Sequence, residues 1–295
     1  MAQQKTVADW VVDILIAVIL VAVVLVVIYP LWFIVIASFS DPTAVANGQV
    51  IIFPRGFSFT GYDKILTDSR IWIGYRNTIL YTFVGTLVNL IVTIPSAYAL
   101  SRREFKPRRV IMFLFTFTMF FSGGLIPSYL LMKQLNLLNS MWVFILPGAF
   151  GVYNMIIARS FFESSIPEEL RDSARVDGVS YFGFFFKIVL PLSSAIIAVI
   201  GLYCFVGHWN DYFTGLIYIR DQDKQPLQNI LQMILLANQA TNGDNTASMS
   251  ALQAQNFADQ IKFGIIIVST LPLLVIYPFL QKYFNKGVMI GAVKG

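Results

Sequence analysis

The chain has 295 residues, 57% of them hydrophobic and only 13% charged, with a mean hydropathy of +0.69. A chain so poor in charge cannot cover a soluble surface, and the composition is that of a polytopic membrane protein. The formal net charge of +5 does not point to nucleic acid, because the basic residues border apolar runs with no aromatic-interleaved polar face, as topology signals do. A single cysteine, Cys204, and a single histidine, His208, leave no internal disulfide and no His/Cys metal cluster; Cys204 sits in an apolar run as a small hydrophobe.

A bilayer core of roughly 30 Å takes about 20 apolar residues of helix, and six runs between charges reach that length. The first, between Asp13 and Asp41, predicts a span over 14–38. It is long for a signal-peptide core and has no small-x-small cleavage site close behind it, so it is expected to be retained. An outer loop over 39–76 follows, then spans over 77–101 and 110–132. The segment joining these two, RREFKPRR, carries Arg102, Arg103, Lys106, Arg108 and Arg109, which places it in the cytosol by the positive-inside rule.

The next run predicts a span over 141–162, then a cytosolic loop over 163–187, a span over 188–210, an outer loop over 211–262 and a last span over 263–281. Both termini then lie in the cytosol. Inside the outer loop the charge-free stretch Lys224 to Asp244 is too rich in Gln, Asn and Thr for a span and reads as an aqueous loop, with QATNGDNTASM (Gln239 to Met249) as its tip. Each span holds proline (Pro30, Pro95, Pro127, Pro147, Pro191, and Pro272 with Pro278), which kinks a membrane helix whose neighbours can satisfy the freed carbonyl. The expected fold is all-α, one transmembrane domain of six helices.

The energy source is legible by elimination. Ion-driven pumps keep ionisable groups at mid-membrane depth, whereas Asp13, Arg159, Lys187, His208 and Asp211 fall near predicted span ends. The chain has no GxxxxGK[ST] phosphate loop, no HExxH and no GxSxG. A non-catalytic chain driven by an external motor, or a passive channel or facilitator with none, fits these facts.

One polar segment lies among the apolar runs: PEELRDSARVDGVSYFGFFFKIVLP, from Pro167 to Pro191. Pro167 suits a first helical turn, and Glu168 and Glu169 place negative charge against the helix N-terminus. Gly178 provides a stop. A short helix, a glycine turn and a second helix entering the membrane are predicted.

The spacing of this segment resembles the EAA loop of binding-protein-dependent ABC importers: Glu-Ala-Ala, three residues, Gly, nine residues, then Ile-x-Leu-Pro. Asp172, Ser173, Ala174, Gly178, Ile188, Leu190 and Pro191 stand at those positions, with Leu170 and Asp177 as frequent extras and Glu169 just before them. Asp172 replaces the usual Glu, and Ser173 the first Ala. The pieces NTILYTFVGTLVNLIVTIPSAYALSRREF, LIPSYLLMKQLNLLNS and WNDYFTGLIYI resemble the carbohydrate-uptake permeases related to the maltose-transporter pair, and FSGGLIPSYLL, with Gly123 and Gly124, a subgroup associated with oligosaccharide uptake, uronate-containing polymers included. The ending Gly291, Ala292, Val293, Lys294 and Gly295 looks like the tail that reaches between the ATPase subunits.

The resemblance implies a type I ABC importer permease fold in the cytoplasmic membrane. It further implies a heterodimer with a second permease, two ABC ATPase subunits that use ATP and Mg, an extracytoplasmic solute-binding protein and a carbohydrate substrate, with no cofactor or nucleic acid on this chain. Small side chains at Ser173 and Ala174 would permit close docking to an ATPase. Sugars bind by ring stacking and amide hydrogen bonds, which makes Tyr153, Asn154, Trp209 and Asn210 the candidates for the substrate path. The alternatives are an ABC permease for another solute and a passive facilitator.

Overall fold

Thr6 opens the first helix with a reciprocal cap: its hydroxyl accepts from the Asp9 amide at 3.3 Å, and the Asp9 carboxylate accepts from the Thr6 amide at 2.8 Å. The helix it starts, α1, runs from Val7 to Ser38 in a computed structural model that describes residues 6–240, 261–276 and 278. The described residues divide into two units, one built from 6–69, 231–240 and 261–271, the other from 70–230 with 272–276 and 278. No strand occurs among them.

In the first unit α1 contains the predicted span over 14–38, and none of its most apolar window is buried by the chain itself. Only its last turn, at Ile36, Ala37 and Ser38, is buried. The segment expected to be an outer loop carries two short helices, α2 (Pro42–Ala46) and α3 (Thr60–Thr67). Asp41 caps α2, accepting from the amides of Thr43 at 2.9 Å and Ala44 at 3.1 Å. The Thr43 hydroxyl bond, opposed by slight burial, holds the Asp41 carboxyl below its usual range. Phe39 stacks on Tyr62 at 5.0 Å, and the Tyr62 hydroxyl donates to Ser38 at 2.8 Å, so α3 is fastened to the end of α1.

The second unit is organised by α4, Ser69–Ser101. It begins at Ser69 rather than at 77, because Arg76 does not end it: its first turns pack on the chain near residue 227. Gly74 faces Leu227 and Ile230, and the Thr78 hydroxyl accepts from the Leu227 amide at 2.8 Å. Asn77 donates to the carbonyls of Asp223 and Gln225 at 2.8 and 3.0 Å, and Tyr81 to that of Lys224 at 3.0 Å.

Three predicted spans are broken. The run over 110–132 forms α5 (Arg108–Phe120) and α6 (Leu125–Gln134), bent by 113° where Gly124 takes φ +86°. The run over 141–162 forms α7 (Trp142–Ile145) and α8 (Val152–Ser165), parted by a stretch holding Pro147, Gly148 and Gly151. After α9 (Glu168–Val176), the helices α10 (Tyr181–Leu192) and α11 (Ser194–Trp209) meet at 77°. Within α10, residues Phe185–Val189 form a π turn. Pro191 offers no N–H to the Lys187 carbonyl and crowds it, and widening the turn accommodates the ring.

Beyond α12 (Phe213–Tyr218), the stretch expected to be an aqueous loop forms α13 (Leu227–Ala240). Leu227, Asn229, Ile230 and Leu231 are buried; an apolar stripe among Gln and Asn makes an amphipathic helix, and composition alone hides that. Of the predicted tip, only Gln239 and Ala240 fall in the described residues. The last of the helices among the described residues, α14 (Ile261–Ile276), covers the first part of the predicted span over 263–281. By length and composition two of the described helices can cross a membrane, or up to four if each bent pair is one span.

A Cβ on Gly74 would lie 3.0 Å from the Leu227 Cα, a backbone atom that cannot swing aside. Gly74→Val is expected to cost about 1–3 kcal/mol by overpacking, read as a lower unfolding temperature of the detergent-solubilised protein, with Gly148→Ala, which meets no neighbour, as the comparison.

Candidate functional site

The polar segment singled out in the sequence folds as α9 and stops in a Schellman cap. The Val179 amide bonds to the Ala174 carbonyl at 2.9 Å and the Gly178 amide to that of Arg175 at 3.1 Å. Gly178 sits at φ +73°, a left-handed conformation that glycine adopts without strain. Asp177 is the C-cap, its amide bonded to the Ser173 carbonyl at 3.0 Å.

The helix has two faces. Glu169, Asp172, Ser173 and Val176, at i, i+3, i+4 and i+7, point outward, and Val176 is 87% exposed, an apolar residue at the rim of a polar stripe. The Ser173 hydroxyl folds back on the Glu169 carbonyl at 2.9 Å, which leaves the outward surface low. The inward face is Leu170, Arg171 and Ala174. Ala174 is 6% exposed and belongs to one apolar cluster with Ile166, Phe162, Phe184, Phe185 and Val189; Leu170, Ile188 and Leu190 pack against it. Ala174, expected to be small for docking, is turned into this cluster, where its small side chain lets α9 lie directly on its own bundle. Pro191, in the π-turn helix, is exposed.

The same end of the bundle holds the basic segment after α4. Arg103 pairs with Glu168 at 3.3 Å, Glu104 forms an ion pair with Arg171, and Arg159 of α8 donates to the Leu100 carbonyl at 3.1 Å. Arg103 and Glu168 are exposed and contribute little. Arg171, its side chain only 11% exposed, is another matter.

Deeper along α4, Asn89 donates to the Gly148 carbonyl at 2.5 Å, in the break between α7 and α8. Its carbonyl oxygen lies 2.8 Å from His208 Nε2, so that nitrogen carries the proton. His208 fills the notch over Gly85, where a Cβ would come within 2.5 Å of Nε2. His208, expected near a span end, turns inward and joins α11 to α4. Asn89 and Gly148 were missed in the sequence; an amide in the middle of an apolar run was the available signal.

The four residues expected along a substrate path stand in different settings. Tyr153 is 63% exposed, Asn154 is half-buried and donates to Cys204 Sγ at 3.5 Å, and Asn210 is exposed and caps its own helix at the Val206 carbonyl, 3.0 Å away. Trp209 is 2% exposed, stacked on Phe205 and tilted against Tyr75, which leaves no free ring face in this conformation. The tail residues Gly291 to Gly295 lie outside the described residues.

Two apolar helices of spanning length, with a polar joint and a polar helix seated on an apolar cluster in the second unit, suit a membrane transport component. The chain belongs to the family described as binding-protein-dependent transport system inner membrane component, whose model matches residues 71–290. It is 39% identical over 96% of its length to the polygalacturonan/rhamnogalacturonan transport system permease protein YtcP of Bacillus subtilis, covering 98% of that protein. It is 41% identical over 91% of its length to Protein LplC of the same organism, covering 90% of it. Among solved structures, a chain of a bacterial ABC transporter involved in the import of the acidic polysaccharide alginate matches with a TM-score of 0.85 and 32% identity, over 96% of this chain and 100% of that one. The protein is thus a permease subunit of an ABC importer in the cytoplasmic membrane, and it works with the other components of such a system.

Two substitutions test the geometry. Asn89→Leu strands the Gly148 carbonyl and His208 Nε2 in an apolar setting and is expected to cost about 1–3 kcal/mol, seen as a lowered melting temperature in detergent. Gly178→Val forces a β-branched residue into the left-handed region, at a cost of about 1–2 kcal/mol. Hydrogen exchange confined to residues 168–179 should rise while the rest of the chain keeps its protection.

Proposed function

We propose that this chain, with a second homologous permease, forms the path by which an ABC importer takes up an acidic oligosaccharide derived from a uronate-containing polymer. Two ATPase subunits bind the α9 end of the bundle, and an extracytoplasmic binding protein delivers the sugar to the other end. The observation that carries this reading is α9 itself: a capped polar helix, gripped by its inward face and presenting Glu169, Asp172, Ser173 and Val176 outward. Such a helix can dock into a protein cleft without loosening from the bundle, as a lever must. ATP and Mg act on the partner ATPases, and this chain contributes no catalytic group.

The same reading places α9 and the basic segment after α4 in the cytosol, with both termini on that side of six spans. The ion pairs between the two segments support their sharing one side. The long bare α1 has room for lipid and for the partner permease. Gly291 to Gly295 would reach the ATPase interface. The names of the polygalacturonan/rhamnogalacturonan permease and of the alginate importer support an acidic sugar. Tyr153 and Asn210, exposed on this chain, remain the candidates for sugar contact, with Asn154 behind them.

Ser173→Trp places a large ring on the outward stripe and leaves the inward face untouched. The ATPase subunits should no longer co-purify with the permease pair, whereas retention of the full amount would refute docking through this stripe. For the cargo, deletion of the coding region should abolish growth on oligogalacturonides and leave growth on maltose unchanged; a strain that loses growth only on neutral oligosaccharides would move the substrate to that class.

A further inference from the structure

The helix α9 is not merely laid on the bundle; one residue of its inward face is bonded to the end of α4. Arg171 forms an ion pair with Glu104, three residues beyond the last residue of α4, and its guanidinium lies 5.4 Å from the ring centre of Tyr181 on α10. Burial opposes the Arg171 charge, but the Glu104 hydrogen bond and charge, with Tyr181 and Tyr98 behind them, outweigh it and raise its pKa above the ordinary value. The turn carrying Glu104 is tight: the Arg102 amide bonds to the Ala99 carbonyl at 3.3 Å, and the Phe105 amide to that of Arg102 at 3.3 Å. Arg102 in turn lies 4.7 Å over the ring of Tyr98, and Tyr98 packs against Phe185 of the π turn at 5.0 Å and Phe162 at 5.6 Å.

These contacts form a continuous path from Arg171 through Glu104 and Tyr98 into α4, the helix that carries Asn89. We infer that the Glu104–Arg171 pair is the positioning joint that makes α9 and the end of α4 move as one body, so that displacement of α9 by the ATPases is delivered to α4. The inference rests on the coupling role of α9 proposed above. A half-buried charge pair is suited to the task. It is directional, and losing Glu104 leaves the Arg171 charge, 11% exposed, uncompensated against protein, so the joint does not slip between registers.

The test uses the assembled importer in lipid nanodiscs, with Cys204→Ser as background and nitroxides on Ala99→Cys of α4 and Arg175→Cys of α9, both exposed sites. The label-to-label distance is measured without nucleotide and after ATP–vanadate trapping. With Glu104 and Arg171 intact the distribution should be narrow and the same in both states. With Glu104→Ala or Arg171→Ala it should broaden or shift on trapping, and ATP hydrolysis stimulated by the binding protein should fall about tenfold while the ATPase subunits still co-purify. The exchange Glu104→Arg with Arg171→Glu should restore the narrow distribution and at least part of the stimulation.

A distance that already shifts on trapping in the unaltered joint would overturn the inference, as would an Ala variant whose distance and stimulation match the parent. So would an exchange that rescues neither. Failure of the coupling role itself is separable, because it appears as ATPase retention in Ser173→Trp, a residue on the opposite face that does not touch the joint.

Discussion

A helix broken within a bilayer exposes backbone groups that water cannot reach, and only the protein can satisfy them. In this molecule α4 carries the side chains that do so. Asn89 meets the carbonyl freed at Gly148, between α7 and α8, and Asn77, Thr78 and Tyr81 meet the backbone of residues 223–227. Remove the amide at Asn89 and two groups are stranded at once, since His208 depends on it too. The second unit is therefore one unbroken helix against which irregular ones are held, and the irregular ones are where a transport path can change shape.

The same logic explains why α9 has so little freedom and so much exposure. Its inward face is committed to Ala174 in the apolar cluster and Arg171 at Glu104; on its outward face, among the described residues, the Ser173 hydroxyl turns back on its own helix. Packing on one side and a left-handed glycine at the end give a short segment a fixed orientation that its length alone, about two and a half turns by helix geometry, would not sustain in water. A surface helix held that firmly can transmit displacement. Held only by exposed pairs such as Arg103 with Glu168, it would absorb it.

Much of this was legible in the residues. The apolar runs announce helices because a bilayer leaves few alternatives for a backbone, and the spacing of Asp172, Ser173, Ala174, Gly178 and Pro191 announces α9 and its stop. Where reading failed, it failed on breaks and faces. Pro147 with Gly148 and Gly151, and Gly123 with Gly124, were visible, yet whether a proline kinks a helix or ends it depends on whether a neighbour such as Asn89 can satisfy the freed carbonyl. The stretch over 227–240 looked aqueous because its Gln and Asn were weighed by composition rather than by face. His208 was placed near a span end because its position was counted along the chain and not across to Gly85.

Sequence by itself determined the class, the helical content and the polar segment with its glycine stop, because these follow from hydropathy and local backbone preference. Tertiary structure alone decided that Ala174 faces inward, that Arg171 grips Glu104, that Trp209 is closed off and that Asn89, Gly148 and His208 form one joint. Those outcomes depend on which distant backbone group or charge lies within hydrogen-bonding reach, and that distance is a property of the packed helices and not of any one of them.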